Sequence, residues 1–75
     1  MDQIAIGVVT TMPQNTVFAL PSVVCRIGAT VACEVSVDGV TWASPVGPAN
    51  VEGVDVCASF IRCTTATCKV IAKTY

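Results

Sequence analysis

The chain has 75 residues and a net charge of −1; 53% of its residues are hydrophobic and only 12% are charged. This composition excludes a nucleic-acid-binding surface, because no run of Lys or Arg occurs. It excludes a membrane-spanning helix, because the longest uncharged stretch, Gln3–Cys25, contains Gln14, Asn15 and two prolines. A single domain over residues 1–75 has too small a core to cover this much apolar surface, so we expect an oligomer or assembly subunit.

The N-terminal segment predicts an apolar strand. Met1–Gln3 lacks the basic start of a signal peptide, so we expect synthesis in the cytosol, where thiols stay reduced. In the strand that follows, Ile4, Ile6 and Val8 share one face. A smooth, uncharged strand is an aggregation hazard at an exposed edge. We therefore predict that it pairs within its own sheet, with this face toward the core or a subunit contact.

The rest of the chain predicts further short strands. No apolar period of 3.6 residues is present, whereas alternating runs bounded by Gly, Pro, Asn and Asp are typical of a sandwich or barrel. We predict an all-β fold, a small β-sandwich or jelly-roll-like domain of about eight short antiparallel strands. In chain order the predicted strands are Gln3–Val9, Thr16–Leu20, Val23–Ile27, Val31–Val37, Val40–Ala43, Val51–Val54, Ser59–Thr64 and Cys68–Thr74. Ser44–Asn50, with two prolines and a glycine, is predicted to be a loop.

Asp38-Gly39 provides the strongest local signal, because Asp-Gly is the preferred pair for a two-residue type I′ hairpin turn. That turn pairs Val37 with Val40 and Val35 with Trp42. The apolar residues then share one face, so the pattern predicts Trp42 and the three valines in the core. An exposed sugar-stacking platform of Trp42 with Tyr75 is the alternative.

The lengths of two further connections are predicted in the same way, from which residues must share a face. A three-residue loop at Gly28–Thr30 pairs Ile27 with Val31 and Cys25 with Cys33, which keeps one apolar face continuous. Near the C-terminus, Cys63 is predicted to pair with Cys68 across Thr64–Thr67. Ile61 then pairs with Val70 and Arg62 with Lys69. The second face of that hairpin is half apolar and includes Phe60 and Ile71.

The five cysteines do not suggest chemistry. No Cys-x-x-Cys and no histidine occur, so neither a zinc site nor a catalytic cysteine is predicted. We interpret each cysteine as a small buried hydrophobe on the inner face of a strand. Cross-strand disulfides, Cys25 with Cys33 and Cys63 with Cys68, remain as an alternative.

The carboxylates give no catalytic pattern. Nothing in the sequence brings two of them together, and Asp38 is already explained by its turn. Calcium binding by Asp38, Glu52 and Asp55 is an open alternative to ordinary solvated surface charge. No catalytic residue, cofactor or metal is predicted, and we expect the protein not to be an enzyme.

The stretch Cys33–Trp42, followed by the Phe-Ile-Arg-Cys-Thr strand at Phe60–Thr64 and a short closing strand, resembles small β-sandwich proteins of tailed bacteriophages, especially capsid decoration (cement) proteins. The resemblance covers roughly the last 45 residues; the family's valines are replaced here by Cys33, Cys63 and Cys68. It implies no catalytic residues.

The resemblance implies a virion protein, assembled in the host cytoplasm, that clamps neighbouring major capsid proteins as a symmetric oligomer, often a trimer. Nucleic acid and membrane are not expected partners. The alternatives are another virion component of the tail, neck or fibre base, a carbohydrate-binding adhesion module, and a small redox or metal protein. The candidate interface residues are Ile4, Ile6, Val8, Phe60, Ile71 and Tyr75.

Overall fold

The computed structural model describes residues 2–22, 24–46 and 54–73. These residues form two four-stranded antiparallel sheets and no helix, which confirms the predicted all-β class. The strands are β1 (Thr10–Met12), β2 (Phe18–Ala19), β3 (Val24–Ala29), β4 (Cys33–Ser36), β5 (Ala43–Val46), β6 (Val54–Cys57), β7 (Phe60–Arg62) and β8 (Cys68–Lys73).

The order of the strands is that of a jelly roll. The first sheet runs β1-β8-β3-β6 and the second runs β2-β7-β4-β5. Each strand pairs with its counterpart counted from the other end of the set: β1 with β8, β2 with β7, β3 with β6, and β4 with β5. These four pairs describe one long hairpin. When it is rolled up, the pairs β3–β8 and β4–β7 are added. The arrangement is the eight-stranded double Greek key of jelly-roll domains, as predicted.

The core lies between the two sheets. Strand β8 shows the alternation that builds it, since Cys68, Val70 and Ala72 are buried while Lys69 and Lys73 are exposed. The largest side chains that are fully buried are Ile4, Met12, Ile27, Ile61 and Val70. The second sheet contributes Phe18, Cys33 and Val35 from its inner face.

The predicted strand Gln3–Val9 is not continuous. Gln3 bridges to Ala19 in the second sheet, and Ile6 bridges to Ala72 in the first, so the segment crosses from one sheet to the other. Gly7 has a φ of 74°, and regular pairing with β8 begins only at β1. Because side chains alternate only along an uninterrupted strand, the prediction of one shared face is wrong. Ile4 is fully buried, whereas Ile6 and Val8 are exposed.

The β4–β5 hairpin exists, but its loop is wider than predicted. Val35 pairs with Ala43 and not with Trp42. A type I′ turn needs positive φ at both central residues, and of the Asp38-Gly39 pair only Gly39 adopts it, with φ of 80°. The Asp38 carboxylate instead accepts hydrogen bonds from the amides of Val40 and Thr41, both at 2.8 Å.

These hydrogen bonds satisfy the loop backbone without a tight turn and release Val37–Trp42 from strand pairing. The predicted core positions therefore change. Val35 is buried, but Val37 is 64% exposed and Val40 is 80% exposed, so placing these two in the core is wrong. Trp42 is half-buried and lies outside the cluster of core side chains, which corrects its predicted position.

The two hairpins predicted at Gly28–Thr30 and at Thr64–Thr67 are wrong as well. Strand β3 continues through Ala29 and pairs with β8, while β4 belongs to the opposite sheet. Strands β7 and β8 are likewise split between the sheets. The chain crosses the sandwich at each of these connections instead of turning back within a sheet. The pairs that do not form are Ile27–Val31, Cys25–Cys33, Cys63–Cys68, Ile61–Val70 and Arg62–Lys69.

Strand boundaries shift in the middle of the chain. The predicted strand Val40–Ala43 is replaced by β5, so the predicted loop Ser44–Asn50 begins as strand. A proline fits there because β5 is an edge strand, where the N–H groups that face solvent take no part in the ladder. The predicted strand Val51–Val54 lies outside the described residues except for Val54, which begins β6.

Candidate functional site

Three exposed aliphatic side chains follow one another beside the first sheet. Ile6 is 44% exposed, Val8 55% and Val9 61%. We call these three residues the aliphatic patch. Gly7, within the patch, donates its N–H to the carbonyl of Ala72 at 2.8 Å, which fixes the segment against β8. The patch is therefore held by the sheet while its side chains point to solvent.

The other candidate interface residues are not gathered into this patch. Ile4 belongs to the core, and Tyr75 lies outside the described residues. Phe60 in β7 and Ile71 in β8 are half-buried and belong to opposite sheets. Of the six predicted residues, only Ile6 and Val8 belong to the aliphatic patch. Val9 was missed because parity assigned it to the opposite face of a continuous strand.

Trp42 is covered by a charged neighbour. The guanidinium carbon of Arg62 lies 4.1 Å from the centre of the indole ring, a cation–π distance. Arg62 also donates from Nε to Glu34 Oε1 at 2.9 Å, and the two residues oppose each other across β4 and β7. The stack places the ring under Arg62, so this arrangement disfavours a sugar-stacking platform.

The carboxylates are occupied separately. Asp55 pairs with Arg26 at 3.0 Å on the β3–β6 ladder, where both side chains are about half exposed. Hydrogen bonds from the amide of Thr41, then from that of Val40 and the hydroxyl of Ser36, lower the pKa of Asp38. Glu52 lies outside the described residues. Nothing described therefore joins these acids into a calcium site.

Three cysteines converge in the core. Cys33 lies in β4, Cys63 directly follows β7, and Cys68 begins β8, so both sheets contribute. Their Sγ atoms all lie within 4.8 Å of one another, and those of Cys33 and Cys68 are 3.5 Å apart. None of the three residues is more than 1% exposed. Within the described residues, this is the one group of at least three potential metal ligands.

The other cysteines are separate from this cluster or not described. Cys57 in β6 is exposed, so the prediction that every cysteine is buried is wrong for it. For Cys33, Cys63 and Cys68 burial is confirmed. The Cys25 side chain lies outside what the structure describes. Spacing along the chain did not reveal the cluster, because the three thiols meet across the sheets and not through a local pair.

The surroundings of the cluster shift the pKa values of Cys33 and Cys63 in opposite directions. Burial, followed by interactions with Cys68 and Cys63, raises the pKa of the Cys33 thiol far above its usual range. Burial also raises the pKa of Cys63. Hydrogen bonds from the side chain of Thr65 and from the amides of Ala66 and Thr65 outweigh the effect of burial, so the pKa of Cys63 is lowered overall. The negative charge of a thiolate is therefore better accommodated at Cys63 than at Cys33.

No family model, curated protein or solved structure matches this chain. No helix among the described residues is long and apolar enough to cross a membrane.

Proposed function

We propose that this protein is a structural subunit of a bacteriophage virion, a decoration protein that self-associates and reinforces the shell of major capsid protein. The observation that carries the proposal is the aliphatic patch. A chain with this core already filled still holds Ile6, Val8 and Val9 in solvent on a segment hydrogen-bonded to β8. Apolar side chains that stay exposed on a fixed segment support a protein contact at this place.

The fold supports the same conclusion by analogy. Jelly rolls are common in viral capsid proteins, and also in lectins and cupins, so the fold alone does not select the function. The lectin alternative needs an open aromatic face, and the one indole of the chain is stacked under Arg62. The resemblance of Cys33–Trp42 and Phe60–Thr64 to decoration proteins then favours the capsid surface.

A second copy of this chain is the proposed occupant of the aliphatic patch. Closed symmetric homo-oligomers are the usual assembly of soluble subunits, and a trimer matches the three-fold positions of a capsid. A standard interface buries about 1,600 Å2, so the patch is its apolar centre and not its full extent. Binding to the shell then sums many weak contacts through the symmetry of the oligomer.

The test is the mass of the protein in solution, measured by light scattering after size-exclusion chromatography. We expect an oligomer for the natural protein and a monomer for Val8→Lys. The matched control is Val40→Lys, which places the same charge on a still more exposed valine in the β4–β5 loop (80% exposed, against 55% for Val8), and this variant should remain oligomeric. A monomeric natural protein, or equal dissociation by both lysines, would overturn the assignment of the patch.

The virion role is tested separately. Quantitative mass spectrometry of purified particles should find the protein at a copy number proportional to that of the major capsid protein. A copy number of a few per particle would place it in the tail, neck or fibre base. Absence from purified particles would overturn the virion proposal altogether.

A further inference from the structure

The cluster of Cys33, Cys63 and Cys68 is not used by the proposed function. The three thiols come from parts of the chain that are 30 and 5 residues apart and from both sheets. A cysteine acting only as a small hydrophobe has no need to meet two others. Here the three sulfur atoms form a compact, buried group where β4 and β8 begin and β7 ends.

The spacing of the sulfurs fits a bound metal ion. A metal–sulfur bond of about 2.3 Å places two sulfurs about 3.8 Å apart in a tetrahedral site and about 4.0 Å apart in a trigonal one. All three Sγ atoms lie within 4.8 Å of one another, and the shortest separation is 3.5 Å. Shifts of less than about 1 Å therefore bring them to bonding positions around one ion. A disulfide between Cys33 and Cys68 needs a larger closure, to about 2.05 Å, and leaves Cys63 unused.

The donor set is chemically uniform. The chain has no histidine, and the carboxylates of Glu34, Asp38 and Asp55 are bound elsewhere. Three sulfur donors without nitrogen select soft, thiophilic ions, of which monovalent copper and divalent zinc are the biological examples. We propose that Cys33, Cys63 and Cys68 form a site for one closed-shell thiophilic metal ion, Cu(I) or Zn(II), which links the two sheets of the sandwich.

The hydrogen bonds of the thiols show where their protons lie. The thiol of Cys33 donates to the carbonyl of Val31 at 3.4 Å, and that of Cys63 donates to the carbonyl of Ala32 at 3.3 Å. These protons are released to solvent when the sulfurs bind an ion.

The connection between two of the ligands lies at the surface. Residues 64–67 connect Cys63 to Cys68, and Thr64, Thr65 and Thr67 in this loop are exposed. The buried thiols of Cys63 and Cys68 are therefore close in sequence to solvent-exposed residues.

The experiment uses the full chain, reduced and kept free of oxygen. We would titrate it with Zn2+ and, separately, with Cu+ held by a competing chelator, and measure metal per protein by mass spectrometry. We expect one ion per chain, and X-ray absorption should show three sulfur neighbours at about 2.3 Å. The ion that binds in competition with the other identifies the metal.

Two variants locate the site. Cys68→Ala should lose stoichiometric binding, whereas the matched control Cys57→Ala, which removes the exposed thiol, should keep it. If Cys68→Ala does not fold, the sulfur count in the natural protein still decides. Folded, reduced protein that binds neither ion would overturn the proposal, as would equal loss in both variants or fewer than three sulfurs at the metal.

Discussion

Val35 and Val40 provide a direct test of the β4–β5 loop. A type I′ turn at Asp38-Gly39 would place both valines on one buried face, whereas in the structure Val35 is 7% exposed and Val40 is 80% exposed. Val→Ala removes two methyl groups, which lose about 1.6 kcal/mol of transfer free energy when buried. The cavity that remains raises the expected cost of Val35→Ala to about 2–3 kcal/mol. Val40→Ala should stay within about 0.5 kcal/mol, as for other surface changes.

This difference is large for so small a domain, whose total stability is about 4–11 kcal/mol on a per-residue basis. Urea unfolding followed by Trp42 fluorescence and far-ultraviolet circular dichroism measures both variants. In thermal unfolding, Val35→Ala should lower Tm by about 10–20 °C, while Val40→Ala leaves it nearly unchanged. Equal losses in the two variants would refute the wide loop and restore the tight hairpin.

Trp42→Ala should cost only about 1–2 kcal/mol and leave a folded domain, because the ring is half-buried, and urea unfolding checks this. The hydrogen bonds from loop amides to Asp38 lower its pKa below 3.8. These hydrogen bonds therefore stabilise the folded state fully above pH 3.8, and this stabilisation is lost as the pH falls through the lower pKa of Asp38 in the folded state. In acid unfolding, Asp38→Asn should lack this pH-dependent loss of stability. Ile4→Ala should cost about 2–5 kcal/mol and Ile6→Ala about 1 kcal/mol, in the same urea assay, because Ile4 is fully buried.

The strands that sequence predicted best are those with clear alternation. Cys68–Thr74 was predicted and β8 spans Cys68–Lys73, with the buried and exposed residues in the expected places. The observed β7 lies inside the predicted Ser59–Thr64. The alternation of apolar and polar residues shows which side chains face the core, whichever strand lies beside them. It was therefore sufficient for the fold class and for much of the core.

Pairing could not be predicted in the same way. Parity arguments assume that a strand pairs with its neighbour in the chain, which holds for β4 and β5 alone among the connections considered. In a jelly roll most ladders join strands distant in sequence, such as β1 with β8. The cysteine cluster is the clearest example of a feature that sequence did not predict. The predicted pairs placed Cys63 against Cys68 in one sheet, whereas the sandwich brings them together with Cys33 across two sheets.

The four edges of the two sheets differ in how well they are protected against pairing with another chain. Strand β5 contains Pro45, and β6 carries the exposed, ion-paired Asp55, both of which discourage pairing with another chain. Strand β2 has two residues and is covered by the bridge from Gln3 to Ala19. Among the described strands, only β1 combines an uncharged edge with exposed aliphatic residues directly before it. Because each of the other three edges is protected, the edge of β1 beside the aliphatic patch is the edge that best fits the second copy proposed above.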